Sequence, residues 1–306
     1  MASTMSSNKL ITVVTASYNR APLLVDLYHS LCRQTSFLFD WIIIDDGSTD
    51  NTSQLVQDWI QSTPPFDIQL VRKENGGKNR AINDAVLLVS TPFTMIVDSD
   101  DYLADYTIEF LSAAASKIIK DEKLAGVAGM RGEQPDNKPC YSLEGGICAN
   151  NLERQSFHLE KDANEVYKTD ILLSHPFDVW PGERFVPEET VWNQLALEGY
   201  SLIWYPLTTC IARYQEGGMT RDSWTLLKDN PMGYAKMFNQ RLVLSSSRSS
   251  QRYNAIQFVS CCFLGRNTRY VFQCNKQSLA LLLIFPGWLL SLRRKKQFAK
   301  YACSSL

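Results

Sequence analysis

Short, β-branched apolar runs alternate with amphipathic stretches over the first 120 or so residues. Leu10–Thr15, Trp41–Ile44, Ile68–Val71 and Thr94–Val97 each read as a buried strand. Between them, Pro22 suits the first turn of a helix that reaches Gln34. Leu55, Val56, Trp59 and Ile60 share one helical face, and Ala81, Ile82, Ala85, Val86 and Val89 share another. Strands alternating with helices predict an α/β fold, Rossmann-like, with a mostly parallel, doubly wound sheet. Each strand runs into a polar loop rich in Gly or Asp, at 17–20, 45–50, 75–79 and 98–101. In such a sheet these loops share the C-terminal edge of the strands, where ligands bind. They are therefore expected to converge in space although they are scattered in sequence.

Beyond a helix ending near Ile119 the pattern loosens. Leu124–Met130 reads as a strand, Arg131–Ser142 as a charged loop, and Val166–Leu173 as a helix. Glu188-Glu189 opens a helix over Thr190–Glu198 that Gly199 closes. Leu202–Tyr205 and Thr208–Tyr214 read as two strands either side of Pro206. The expected organisation is one domain in two halves, 1–125 and 126–228, and a basic, apolar C-terminal extension over 229–306.

Charge changes the picture of that extension. The net charge is only −1, but Asn230–Leu306 holds twelve Lys or Arg and no Asp or Glu, leaving the preceding residues at −13. A basic tail behind an acidic body implies an anionic partner. The run Leu279–Leu290, interrupted by Pro286-Gly287, is followed by Arg293–Lys296. It falls short of the about 18–20 apolar residues that span a bilayer. A helical segment lying on an anionic membrane surface fits it, and its Leu-rich content favours lipid over nucleic acid. The eight cysteines show no metal-binding spacing, and the chain has only three histidines, so no zinc pattern is present. With no hydrophobic signal segment visible, a cytoplasmic protein, peripheral on the inner face of the membrane, is the expectation.

The candidate chemistry lies in the four loops. Asp98, Asp100 and Asp101 crowd three carboxylates into four positions, an arrangement that wants a hard divalent cation. Neither a G-x-G-x-x-G nor a P-loop spacing follows the first strand or Gly76-Gly77-Lys78. What remains is an aromatic (Tyr18), acids (Asp46 and the 98–101 cluster) and a lysine at a Gly-rich helix start (Lys78). That set suits a nucleoside diphosphate bound with a divalent metal. Asp45 and Asp50 read as turn and cap residues.

Thr15-Ala-Ser-Tyr-Asn19, Asp45-Asp-Gly-Ser-Thr-Asp50, Gly76-Gly-Lys-Asn-Arg-Ala-Ile-Asn83 and Asp98-Ser-Asp-Asp101, in this order, resemble family 2 glycosyltransferases of the GT-A fold. The resemblance implies a UDP-sugar donor. It places Thr15 and Tyr18 at the base and Asp46 as acceptor from a uracil N–H. Lys78 would lie near the diphosphate or ribose and Asp98 on the ribose, with Asn19 and Ser99 in the same nucleotide-sugar set. Asp100, or instead Asp101, would bind Mn²⁺ or Mg²⁺. Glu188-Glu-Thr-Val-Trp192-Asn-Gln-Leu195-Ala196 resembles the family's helix that carries the catalytic base. Glu188 takes the base position and Glu189 is the alternative, while Pro187 stands where relatives have an acid. The late turn 213–220 resembles the family's loop over the diphosphate, with Arg213 or Thr220 as the phosphate contact and Gln215 where many relatives carry His. The implied activity is inverting, metal-dependent transfer to a glycan or lipid-linked acceptor in envelope polysaccharide synthesis. A catalytically inactive sugar-nucleotide-binding subunit and a nucleotidyltransferase are the alternatives.

Overall fold

The computed structural model of the chain describes residues 9–136, 143–159, 162–212 and 223–304. Four strands, β1 (Ile11–Ser17), β2 (Phe39–Asp45), β3 (Asp67–Arg72) and β4 (Phe93–Ile96), lie parallel in the spatial order β3-β2-β1-β4. The helices α1 (Ala21–Cys32), α2 (Thr52–Gln61) and α3 (Lys78–Val86) connect them. Because strand side chains alternate, one face of this sheet presents Val13, Trp41 and Ile43 to Leu24, Leu27 and Leu31 of α1 and Val56 of α2. The other face presents Val14, Ile42 and Ile44 to Ala81 and Ala85 of α3. Burial on both faces explains why these strands read as continuous apolar runs.

The sheet continues through β5 (Tyr102–Leu103), β6 (Leu124–Gly132), β7 (Ile147–Ala149), β8 (Ala163–Lys168) and β9 (Ser201–Ile211), with α4 (Thr107–Ile118) between β5 and β6. Here the expected mostly parallel arrangement gives way to a mixed one. β8 sits antiparallel between β4 and β6, and β5 and β7 run antiparallel to β9, while β6 and β9 are parallel.

Two local expectations are corrected. Val166–Leu173 is not one helix: it is the end of β8 followed by α5 (Thr169–Ser174). Val166 and Tyr167 pair with Met95 and Thr94, so the open edge of β4 claims them as strand. The two expected strands around Pro206 are one strand. The β6–β9 register slips between Ala128 and Met130, opposite Trp204 and Thr208, and this irregularity accommodates a residue with no N–H to give.

The remaining helices are α6 (Glu189–Leu197), α7 (Ser223–Asp229), α8 (Pro231–Leu244), α9 (Arg248–Leu264), α10 (Gln277–Leu282) and α11 (Ile284–Ser304). They end the chain in a helical bundle with its own core, built on Phe238, Leu242, Phe258, Val259, Ala280 and Phe298. Pro286 does not break the tail as expected. It sits in the first turn of α11, where its missing N–H costs nothing, and the break falls at Leu283. No helix among the described residues is long and apolar enough to cross a membrane.

The chain separates into two compact units. A sheet unit holds residues 1–176 and 194–215, and a helical unit holds 177–193 and 216–306. The seams differ from the expected boundaries at 125 and 228: residues 177–193, with Glu188 and Glu189, pack with the C-terminal helices.

Candidate functional site

The four loops at the C-terminal edge of β1–β4 are joined in sequence by direct polar contacts. The Asn19 backbone N–H donates to Ser48 Oγ at 2.9 Å, and Asn19 Oδ1 accepts from the N–H groups of Thr49 (2.7 Å) and Asp50 (3.3 Å). Asn19 holds a positive φ of 52°, a conformation that asparagine tolerates better than most residues. The second loop reaches the third through Asp46, whose two oxygens accept from the N–H groups of Gly76 (2.8 Å) and Gly77 (2.7 Å). Gly77, at φ 93°, then turns the chain into α3. The third loop reaches the fourth through Lys78, whose Nζ lies 2.6 Å from Asp98 Oδ1. The fourth is tied to the end of β6, where Arg131 forms an ion pair with Asp101.

Convergence of the loops is therefore a set of named bonds. Asp45 and Asp50 have the turn roles expected of them. Asp45 is fully buried and accepts from Ser48 N–H at 2.8 Å, and Asp50 accepts from Thr52 N–H at 3.0 Å. Thr15 is set apart from the loop edge. It is fully buried and its hydroxyl accepts from Trp41 Nε1 at 3.0 Å, so its side chain works inside the sheet. Tyr18, by contrast, is 46% exposed and presents its ring at that edge. Arg213, Gln215 and Thr220 lie outside the described residues.

The acids differ in their electrostatics. Burial opposes the charge of Asp98, yet Lys78, with Arg131 further off, holds its carboxyl below the usual range. Burial pushes Asp101 up to about 6 against the pull of Arg131, with Asp98 and Asp100 adding like charge. Burial works against the charge of Arg131 too, but Asp101 more than offsets it and raises its pKa. Arg131 was missed in the sequence, where it reads as the first residue of a charged loop. No local signal marks it, because its partner lies thirty positions earlier.

These pairings bear on a metal. A divalent ion on a nucleoside diphosphate needs only one or two protein carboxylates, the phosphates and water supplying the rest. Asp98 is engaged by Lys78 and Asp101 by Arg131, whereas no described cation pairs with half-buried Asp100. No group of three or more His, Cys, Asp or Glu suited to a metal is present among the described residues. The donor set thus fits a metal shared with a phosphate ligand, with Asp100 as the available carboxylate, and does not fit a metal held by protein alone.

In the helical unit, Glu189 is gripped by Arg241 through two contacts of 2.7 Å. Glu188 lies one residue before α6 and its carbonyl accepts from Val191 N–H at 2.9 Å, closing the first turn.

Comparison with known proteins agrees with this geometry. Residues 12–142 match the family model described as Glycosyl transferase family 2. The teichoic acid poly(glycerol phosphate) polymerase of Staphylococcus epidermidis is 35% identical over 103 residues, which is 34% of this chain and 14% of the polymerase. Glycosyltransferase GlyG of Streptococcus pneumoniae is 31% identical over 105 residues, 34% of each chain. The match therefore spans about a third or less of these relatives' lengths. Among solved structures, S. aureus TarS 1-349 in complex with UDP-GlcNAc superposes with a TM-score of 0.59 at 16% identity, over 89% of this chain and 78% of that one. The mannosyltransferase PcManGT from Pyrobaculum calidifontis, in complex with GDP-Man and Mn²⁺, gives 0.54 at 16% identity, over 95% and 86%. With four loops stitched along one sheet edge, residues 12–142 match glycosyl transferase family 2, and the chain has the GT-A fold of these structures.

Proposed function

We propose that the protein is an inverting, metal-dependent glycosyltransferase. It moves a sugar from a UDP-sugar to a hydroxyl of a glycan or lipid-linked acceptor in envelope polysaccharide synthesis. The observation that carries this reading is the unbroken series of contacts Asn19–Ser48, Asp46–Gly76/Gly77, Lys78–Asp98 and Asp101–Arg131. This supports a rim shared by an aromatic (Tyr18), a lysine (Lys78) and a carboxylate with no described cation beside it (Asp100), groups that a nucleoside diphosphate needs.

In this reading Tyr18 stacks on the base. Asp46 keeps a second lone pair on each oxygen after binding the glycine N–H groups, so it can still accept from uracil. Lys78 and Asp98 lie at the diphosphate and ribose, with Asn19 and Ser99 in the same nucleotide-sugar set. Mn²⁺ or Mg²⁺ at Asp100 would supply positive charge to the departing diphosphate. Glu188 is the base, with Glu189, held by Arg241, as the alternative. Glu188 takes the proton of the acceptor hydroxyl as that oxygen bonds to the anomeric carbon. The bond from that carbon to UDP breaks, and its electron pair leaves on the diphosphate. UDP-GlcNAc in the TarS structure and Mn²⁺ in the mannosyltransferase structure support the donor class and the metal.

The protein works, in the same proposal, on the cytoplasmic face of a membrane. Supporting this, Leu282 is 77% exposed, Phe285 63% and Leu289 46% along α10 and α11, followed by exposed Arg293, Lys295 and Lys296. An exposed apolar stripe running into basic residues suits an anionic lipid surface.

The test is thermal stabilisation by UDP-GlcNAc, UDP-glucose and GDP-mannose, with Mn²⁺ and with EDTA, combined with a measurement of slow UDP release. Stabilisation by a UDP compound with metal, plus release, is expected. No stabilisation by any UDP compound, with or without metal, sinks the reading. Stabilisation with no release under any condition, acceptor glycans included, points to an inactive binding subunit.

A further inference from the structure

The segment that carries Glu188 is held along its length by one helix. Asn230, just before α8, accepts from the N–H groups of Arg184 (2.8 Å) and Phe185 (2.9 Å). In return Glu183, 7% exposed, accepts from Met232 N–H (2.7 Å) and Gly233 N–H (2.8 Å) and so caps the start of α8. Lys236 pairs with Asp178. Gln240 Nε2 donates to the Thr190 carbonyl at 3.0 Å, and Arg241 grips Glu189. At Gly233 the two backbones meet: a Cβ there would lie 2.5 Å from the Phe185 carbonyl oxygen. Residues 230 to 241 thus meet 178 to 190 at turn after turn of α8.

We infer that α8 is the template that sets the catalytic base, and that Arg241 is a positioning residue for Glu188. Its planar fork fixes the Glu189 carboxylate in one orientation, and with it the first turn of α6 and the residue just before that turn. The same grip removes Glu189 from proton transfer. An exposed ion pair of this kind adds little to stability. Its value is geometric, since a base displaced by about 1 Å can lose about a hundredfold in rate. The inference rests on the reading of Glu188 as the base.

The experiment uses the full chain with UDP-GlcNAc and Mn²⁺, measuring donor-induced thermal stabilisation together with kcat and KM for UDP release. Arg241→Ala should lower kcat by about a hundredfold. KM, the stabilisation and the melting temperature without donor should hardly move. Arg241→Lys should recover part of the rate. The swap Glu189→Arg with Arg241→Glu should recover much of it, although Glu189→Arg alone does not. An unchanged kcat in Arg241→Ala overturns the inference, and so does a swap as slow as Glu189→Arg alone. Glu188→Gln is run beside them. If it keeps full turnover, the base reading itself has failed; if it is inactive while Arg241→Ala is normal, only the positioning role has failed.

Discussion

The sheet unit and the helical unit hold their acids in different ways. In the sheet unit, Asp46 binds two backbone N–H groups, Asp98 faces Lys78 and Asp101 faces Arg131, so each acid links one loop to the next. In the helical unit, Glu183 and Glu189 both reach one helix, α8. The first arrangement is an open series of links in which a broken link disturbs its neighbours. The second is a rail, along which a contact can be lost while the donor loops stay as they were. Donor binding and proton transfer should accordingly fail separately when each unit is mutated.

The largest expected effect tests that separation. Glu188→Gln should lower transfer by about 10²- to 10⁴-fold, the usual range for a lost general base, with UDP-GlcNAc stabilisation intact. Asp100→Ala should show the reverse signature, losing Mn²⁺-dependent stabilisation altogether. If both variants lose donor binding, the two units are not independent and the comparison breaks.

Next in size is Arg131→Ala. It leaves Asp101, whose side chain is 4% exposed, as a buried carboxylate without its cation. Removing one partner of a buried pair costs about 3–5 kcal/mol. Arg131 is itself a quarter exposed, so the lower end is expected, read as a shifted urea midpoint. Adding Asp101→Asn should restore part of the loss, because the orphaned charge is then gone. Strict additivity of the two changes would show that the pair is not coupled.

The smallest effect concerns the tail. Removing residues from 278 onward is a poor test, because Ala280 and Phe298 belong to the helical core. Leu282→Asp with Phe285→Asp alters exposed positions only. It should reduce flotation with anionic vesicles about tenfold or more, each lost Leu or Phe contact being worth about 1.5–3 kcal/mol at full burial. Neither melting temperature nor donor binding should change. Undiminished flotation would remove α10–α11 as the lipid-facing surface.

The same contrast explains what could be read in advance. Asp45 and Asp50 announce themselves because turn and cap chemistry is local: each accepts from an N–H two or three positions on. The parallel half of the sheet is legible for a similar reason, since burial on both faces leaves unbroken apolar runs. Arg131, Glu183 and Arg241 give no such signal, their partners being 30 to 52 positions away. At 166–173 the apolar pattern suits helix or strand, and pairing with β4 decided it. Asn19, expected among the nucleotide-sugar-binding residues, also braces the neighbouring loop through its amide oxygen, a contact about 30 positions away that no local pattern marks.

Residues 177–193 leave the sheet unit, join the helical one, and return within α6. For recombination between relatives this sets the units of exchange. A crossover at 216 alone would combine one parent's 177–193 with another's α8. It would mismatch Glu183 with 232–233, Arg184 and Phe185 with 230, and Glu189 with 241. A hybrid that transfers both stretches together keeps those partners. In that sense Glu188, the proposed base, and the C-terminal helices form one block for exchange.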